Sequence, residues 1–100
     1  MIAIIKDSGD IPLIISDVAQ GINGTIAYVF KGYSREITVQ CHSQDDRDTL
    51  LNGIASNNGL YSVGGINYLV KSISLVEHFL SDQGDVWTYD LELYRDDYSV

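Results

Sequence analysis

The sequence predicts an α+β fold, in which a curled, mostly antiparallel β-sheet or small barrel has one α-helix, residues 44–57, packed on it. Three observations lead to this prediction. A single segment has helical periodicity with a cap at each end. The apolar runs on both sides of it are short and bounded by turn residues, as expected for strands joined by hairpins. The chain also contains seven Tyr and nine Gly, which favour a β-rich composition.

The predicted helix has clear start and stop signals. Ser43 and Asp46 have the spacing of a capping box. Asp45 and Asp48 join Asp46 in the first turn, where the helix dipole favours negative charge. Residues 57–59, Asn-Asn-Gly, predict the end of the helix. The apolar stripe that should face the sheet comprises Leu50, Leu51 and Ile54.

Four strands are predicted before the helix. The apolar runs 2–5 and 11–15 could pair as a hairpin, and Pro12 places the second run at a sheet edge because proline cannot donate a ladder hydrogen bond. Residues 25–30 are apolar on both faces, which favours a central strand or one covered on both sides. Residues 35–42 alternate as in a half-buried strand. The apolar side of that alternation is Ile37, Val39 and Cys41.

Turn residues separate these four predicted strands. Residues 17–24 contain Gly21 and end in Asn-Gly, which predicts a loop. Residues 31–34 predict a turn, so that 25–30 and 35–42 become an antiparallel hairpin.

Three strands are predicted after the helix. The Gly64-Gly65 pair between the apolar runs 60–63 and 66–70 is a strong hairpin signal, since both glycines can adopt a positive φ. The alternation then changes parity, which predicts a β-bulge near Lys71-Ser72 that bends the strand. Residues 78–85 are expected to form a loop.

The last strand, residues 86–95, has the cleanest alternation in the chain. One face comprises Trp87, Tyr89, Leu91 and Leu93, and Trp87 and Tyr89 are expected in the core. The opposite face comprises Thr88, Asp90, Glu92 and Tyr94. Tyr94, with Tyr98 in the polar C-terminal tail, is a candidate for a protein interface because interfaces are enriched in Tyr.

Length and charge narrow the functional class. One hundred residues are expected to form one domain. The net charge of −8 disfavours direct binding to nucleic acid or to an anionic membrane surface. No apolar run approaches the ~20 residues that span a membrane, and the run 1–5 is too short for a signal peptide. The single cysteine, Cys41, permits no internal disulfide and is expected to be a buried, inert thiol. The chain is expected to fold in a reducing cytoplasm.

No pattern in the sequence specifies catalytic, cofactor or metal chemistry. The acidic run that begins at Asp45 lacks the sixth-position Gly and the twelfth-position Glu of a calcium loop, and a helix cap explains the same carboxylates. Cys41 and His42 are neighbours on a strand and therefore point to opposite faces, and with His78 they lack the spacing of a zinc site. The glycines do not form a phosphate-binding fingerprint. We therefore expect neither an enzyme nor a bound cofactor or metal.

The order of hairpin, capped helix, hairpin and long amphipathic strand resembles small structural proteins of tailed bacteriophages. The similarity covers roughly residues 25–94 and is carried by YSREITVQCHSQDDRDTLLNGI, GLYSVGGINYLVKSISL and DVWTYDLELYRDD. The first stretch is similar to the strand and helix of tail terminator proteins. The other two also resemble tail-tube and distal-tail proteins. The resemblance is to the layout, so no functional residue of these families is transferred to this chain.

The resemblance implies a virion component, made in the host cytoplasm, that forms a ring in the tail or neck, commonly six-fold, with neighbouring tail or neck proteins as partners. Ring closure suits a curled sheet because it removes exposed strand edges. An acidic inner wall would repel DNA and let it slide through the lumen. Asp90 and Glu92 are candidates for that wall.

A second hypothesis is a small acidic binding or inhibitor protein that mimics nucleic acid on a basic protein surface. It arises from the net charge and from three carboxylate clusters: Asp45, Asp46 and Asp48; Asp82 and Asp85; and Asp96 and Asp97. A mimic should space its carboxylates along one face. The clusters here fall at a helix start, a loop and a tail, a distribution more typical of ordinary surface solvation.

Overall fold

The computed structural model describes residues 1–21, 24–82 and 84–96, and it confirms the α+β prediction. One helix packs on a curled antiparallel sheet that forms a half-barrel. The elements are β1 (Ile2–Asp7), β2 (Ile11–Gly21), β3 (Gly24–Cys41), α1 (Gln44–Ser56), β4 (Leu60–Val63), β5 (Ile66–Ser81) and β6 (Gly84–Asp96). The strand order is β1-β3-β6-β5-β4, and β2 also pairs with β3.

Strand β3 organises the sheet. On one edge it pairs first with β2, from Gly24 to Ser34, and then with β1, from Ile37 to Cys41. On the other edge it pairs with β6 between Gly32 and Cys41. The expected hairpin between the first two strands is therefore wrong, because β1 and β2 lie one after the other along the same edge of β3. The expectation of an edge strand at Pro12 is confirmed, since β2 pairs only with β3 in the described part of the chain.

Two breaks that the sequence predicted within β2 and β3 are wrong. The turn predicted at 31–34 lies within β3, where Gly32 pairs with Leu13 on one side and with Asp96 on the other. The loop predicted at 17–24 is mostly strand, because β2 continues to Gly21 opposite Gly24. In both places ladder hydrogen bonds to a neighbouring strand satisfy the backbone in an extended conformation, and this outweighs the local preference for a turn.

The segment 25–30 is not a central strand, contrary to the expectation from its apolar composition. Among the described residues it pairs with β2 alone, since β6 ends opposite Gly32. Composition reports how apolar a strand is, whereas its position in the sheet depends on which other strands reach it.

The second half of the chain follows its turn and bulge signals. Gly64 and Gly65 have φ angles of 61° and 83° and join β4 to β5, as predicted. The register of β5 against β6 shifts between Val70 and Ser72, which confirms the predicted bulge, and a second shift falls between Leu75 and Glu77. The predicted loop at 78–85 is wrong, because β5 runs to Ser81 and pairs there with Gly84.

The core lies between α1 and one face of the sheet. Ser43 caps α1 by accepting a hydrogen bond of 3.1 Å from the Asp46 amide, as predicted. The helix ends through the Gly59 amide, which donates to the Ile54 carbonyl at 2.9 Å, after Asn58 has adopted a φ of 58°. The buried residues are Ile37, Val39, Cys41, Leu50, Val63, Tyr68, Trp87, Tyr89, Leu91 and Leu93, with Leu51 and Ile54 packed against them. The predicted apolar stripe and the predicted core faces of β3 and β6 are therefore confirmed.

The molecule is elongated, and strands β2 and β3 extend well beyond the rest of the sheet. Its extents are 63 × 24 × 22 Å and its radius of gyration is 17.1 Å, whereas a compact chain of this length has about 13 Å. Beyond the pair of Gly32 with Asp96, β2 and β3 continue as two strands only, as far as the described residues show. We call residues 14–21 and 24–31 the arm. At ~3.4 Å per residue, its eight paired levels span about 27 Å.

Candidate functional site

The face of the sheet opposite the helix forms a trough of about 860 Å³ between β1, β3, β5 and β6. Residues that line it include Glu36, Thr38, Ser72, Ser74, Asp90 and Glu92. The sheet register explains why they meet. Thr38, Asp90 and Ser74 are level with one another on three neighbouring strands, and Glu36, Glu92 and Ser72 form the next level on this face.

The lining of the trough contains four carboxylates, Asp7, Glu36, Asp90 and Glu92, and one cation, Lys6. Glu36 and Glu92 lie directly opposite each other, an arrangement of like charges that is unfavourable between strands. Lys71 lies 3.8 Å from Glu92, and its pKa is raised by its hydrogen bond to the Tyr94 hydroxyl and then by the charge of Glu92. Asp90 accepts a hydrogen bond of 2.7 Å from the Thr38 hydroxyl. The trough therefore presents a negative surface to whatever lies beside it.

The sequence predicted part of this surface. Asp90 and Glu92 lie together in the trough, and Tyr94 adjoins them, because its hydroxyl donates to Glu92 at 3.1 Å. Tyr94 is only half-buried, while Tyr98 falls outside the described residues. Sequence reasoning missed Glu36 as a neighbour of Glu92. The parity of β3 puts Glu36 on the correct face, but only strand pairing brings the two carboxylates together.

A second polar group joins the arm to the sheet, and we call it the root clamp: Asp7, Asp10, Arg35, Tyr68 and Arg95. Arg35 binds the Asp7 carboxylate through two nitrogens, at 2.8 and 2.5 Å. The hydroxyl of the fully buried Tyr68 donates to Asp10 at 2.6 Å and accepts from Arg35 at 3.0 Å. Arg95 donates to the other oxygen of Asp10 at 3.0 Å. The turn between β1 and β2 is thereby tied to β3, β5 and β6.

The electrostatics of the root clamp favour its charged form. Hydrogen bonds from Arg35 and from the Gly9 amide lower the pKa of Asp7 to about 2. The hydrogen bond from Tyr68, followed by the contact with Arg95, lowers the pKa of Asp10. The guanidinium of Arg95 also lies 4.3 Å from the centre of the Tyr33 ring at the base of the arm, within the range of a cation–π contact. The clamp fixes the turn between β1 and β2 against the sheet, next to the base of the arm.

The histidines and the cysteine do not converge on one site. Cys41, Trp87 and His78 are level on three neighbouring strands, so Cys41 and His78 are about 10 Å apart across two strand spacings. The His78 ring stacks on Trp87 at 4.7 Å, and its Nε2 lies 3.2 Å from Asp85. Burial raises the pKa of the Cys41 thiol, which lowers its reactivity. Within residues 1–21, 24–82 and 84–96, no group of three or more potential ligands is placed to bind a metal ion.

The carboxylate clusters noted in the sequence occupy separate parts of the fold. Asp46 binds the N-terminal amine, and Asp48 forms an ion pair of 3.2 Å with Arg47. Asp82 and Asp85 belong to the β5–β6 turn region, and Asp96 ends β6. Asp97 falls outside the described residues. The described clusters therefore do not trace one continuous face.

Comparisons with protein-family models, with curated proteins and with solved structures found no match. Over the described residues, no helix has the length and apolar character needed to cross a membrane.

Proposed function

We propose that this chain is a non-enzymatic structural protein that assembles with copies of itself into a ring, as a terminator or distal-tail component in the tail or neck of a tailed bacteriophage. One observation carries the proposal. The sheet curls as a half-barrel, and in the described part of the chain its outer edges at β1 and along most of β5 have no partner strand. Unpaired edges expose backbone donors and acceptors that a neighbouring copy can satisfy, and a closed ring leaves none of them open.

Exposed apolar side chains support the same proposal. They concentrate on these outer strands and comprise Ile4 and Ile5 on β1, Ile11 and Ile14 on β2, and Leu75, Val76, Phe79 and Leu80 on β5. Apolar side chains exposed on strands with free edges favour contact with another protein chain. A chain that functioned alone would leave these side chains in water.

The acidic trough supports the proposal that this face of the sheet lines the lumen through which DNA passes. Glu36, Asp90 and Glu92 lie on the sheet face that the helix does not cover. A wall with this charge repels the phosphate backbone, so DNA can pass without adhering to it. In the proposed ring this face is turned inward.

The assembly is tested by size-exclusion chromatography with light scattering and by electron microscopy of the purified chain, alone and with neighbouring tail proteins. We expect a species several times the mass of one chain, with a central opening. A chain that remains a monomer at every concentration and joins no virion would contradict the proposal.

The lumen assignment is tested by the double charge reversal Asp90→Lys with Glu92→Lys. Rings of this variant should bind duplex DNA at low salt and slow DNA ejection, because the wall then attracts phosphate. The matched control is the same double change at Asp82 and Asp85, which lie outside the trough. Unchanged assembly and unchanged DNA ejection in the trough variant, with its fold verified by circular dichroism, would count against the lumen role.

A further inference from the structure

Two outer edges of the sheet, those of β1 and of the part of β5 beyond β4, lie at the same level. Strand pairing places one residue from each of β1, β3, β6 and β5 side by side: Lys6, Thr38, Asp90 and Ser74. A second such level lies two residues away along β6: Ala3, Gln40, Thr88 and Glu77. Residues 3–6 of β1 and 74–77 of β5 therefore span the same interval of the sheet. Over the described residues, neither stretch has a partner strand on its outer side.

The two outer strands have matching bulges within this interval. Each central strand has one residue there, Val39 on β3 or Tyr89 on β6, whereas each outer strand has two. The outer residues are Ile4 and Ile5 on β1, and Leu75 and Val76 on β5. An edge with a bulge pairs poorly with a regular strand. Two edges that have the same number of residues between shared levels stay in register with each other.

The four residues of the two bulged stretches are also apolar and exposed. The exposed fractions of Ile4, Ile5, Leu75 and Val76 lie between 42% and 57%. Charged side chains on an edge strand discourage pairing with another chain. The bulged stretches contain none, so contact between the two edges would remove four apolar side chains from water.

Strand direction determines how the two edges can meet. The neighbouring pairs β1–β3, β3–β6 and β6–β5 are all antiparallel, so β1 and β5 run in opposite directions. The β1 edge of one copy, placed beside the β5 edge of the next, therefore extends the antiparallel sheet. A contact between two β1 edges, or between two β5 edges, forms a dimer and leaves the other edge open. The contact of β1 with β5 satisfies both edges in every copy of a closed ring.

We infer that residues 3–6 of β1 pair with residues 74–77 of β5 in the next copy of this chain, with Lys6 opposite Ser74. Strand β4 leaves this stretch accessible, since its pairing with β5 ends at Leu69. Lys6 and Ser74 both line the trough, so the contact joins the trough of one copy to that of the next. This inference rests on the proposed assembly and adds the edges and the register that join the copies.

Disulfide capture between full-length chains tests the register. One variant contains Lys6→Cys and another contains Ser74→Cys, and the native Cys41 is buried. The Cα atoms of facing residues on adjacent strands lie about 5 Å apart, within the range that a disulfide requires. On mild oxidation, a mixture of the two variants should therefore give at least about fivefold more cross-linked dimer than either variant alone. The control mixture, Lys6→Cys with Leu80→Cys, should give no such increase, since Leu80 lies about 20 Å further along β5.

Charge insertion tests the same edges without cysteine chemistry. Ile5→Lys and Val76→Lys each place an ammonium group in the apolar contact and should raise the concentration for half-assembly by at least about tenfold. Leu80→Lys is the matched control, because Leu80 is an exposed apolar residue of the same strand that lies beyond the reach of β1. Circular dichroism and the urea midpoint of each variant verify that the fold is retained.

The outcomes separate this inference from the proposed ring. Cross-linking within Lys6→Cys chains alone would show that two β1 edges meet, and cross-linking within Ser74→Cys chains alone would show that two β5 edges meet. Either result would overturn the inference. If wild-type chains assemble but the mixture gives no extra dimer, or the Ile5→Lys and Val76→Lys variants assemble normally, the pairing of β1 with β5 is wrong while the proposed ring stands. If wild-type chains never assemble, both proposals fail.

Discussion

The carboxylates of this acidic chain differ in role according to the groups that face them. Asp7 and Asp10 each contact an arginine, Arg35 or Arg95, and stabilise the corner where the arm begins. Glu36 and Glu92 face each other in the trough. The sequence placed Glu92 on the polar face of its strand because alternation is a local property. It contained no signal for the partners of Asp7 and Asp10, since those partners come from three distant strands.

Protonation of Asp7 should weaken the root clamp at low pH. The folded chain holds the pKa of Asp7 at about 2, below the ~3.9 of an aspartate in an unfolded chain. The stabilisation from Asp7 is therefore complete above about pH 4 and is lost as the pH falls toward 2. Urea unfolding followed between pH 5 and pH 2 should show this decline in the free energy of unfolding.

The variant Asp7→Asn provides the comparison for the acid experiment. It should be less stable than the wild type at pH 5, and this difference should shrink as the pH approaches 2. Asp82→Asn, in the exposed β5–β6 turn, serves as the control and should follow the wild type throughout. A constant difference between Asp7→Asn and the wild type over the whole pH range would show that the Asp7 charge does not stabilise the fold.

At the level of elements, the helix was the most predictable part of the molecule. Ser43, the acidic first turn and the stop at 57–59 all act within a few residues, so their chemistry is visible in the sequence. The Gly64-Gly65 turn and the bulge between Val70 and Ser72 were predictable for the same reason. The lengths of the strands were not predictable from the sequence, because a strand continues as long as another strand pairs with it.

The helix cap gives a quantitative expectation. Ser43→Ala removes the oxygen that accepts from the Asp46 amide and should lower the free energy of unfolding by about 1 kcal/mol. Urea denaturation followed by circular dichroism measures this loss. Ser62→Ala, on the exposed side of β4, is the matched control and should change stability far less. Loss of assembly in Ser43→Ala without loss of stability would show that the segment around Ser43 contacts a partner directly.

At the scale of the whole molecule, the arm decides the shape. Eight levels of a two-stranded ribbon extend from a sheet that carries the helix on one face. The root clamp lies at the base of the arm, and it ties the turn before β2 to β3, β5 and β6. An elongated chain with open edges is suited to contacts with several neighbours, as the proposed ring requires.

Small-angle X-ray scattering tests the extended arm. Chains at high dilution are expected to give a radius of gyration near 17 Å, in accord with the 17.1 Å of the structure. A value near the ~13 Å of a compact chain of this length would mean that the arm folds back on the sheet.

The α+β class, the single capped helix, the core faces of β3 and β6, the glycine turn and one bulge were all predictable from local sequence patterns. These features depend on interactions between residues a few positions apart. The continuation of β3 through Gly32, and the position of β1 and β2 along one of its edges, emerge only from the pairing of strands in the folded chain. The physical reason is that a turn signal such as Lys31-Gly32 acts on a few backbone groups, whereas strands on both sides supply hydrogen bonds that hold the same groups extended. The trough and the root clamp follow from that pairing, because it brings together carboxylates, arginines and a tyrosine that lie far apart in the chain.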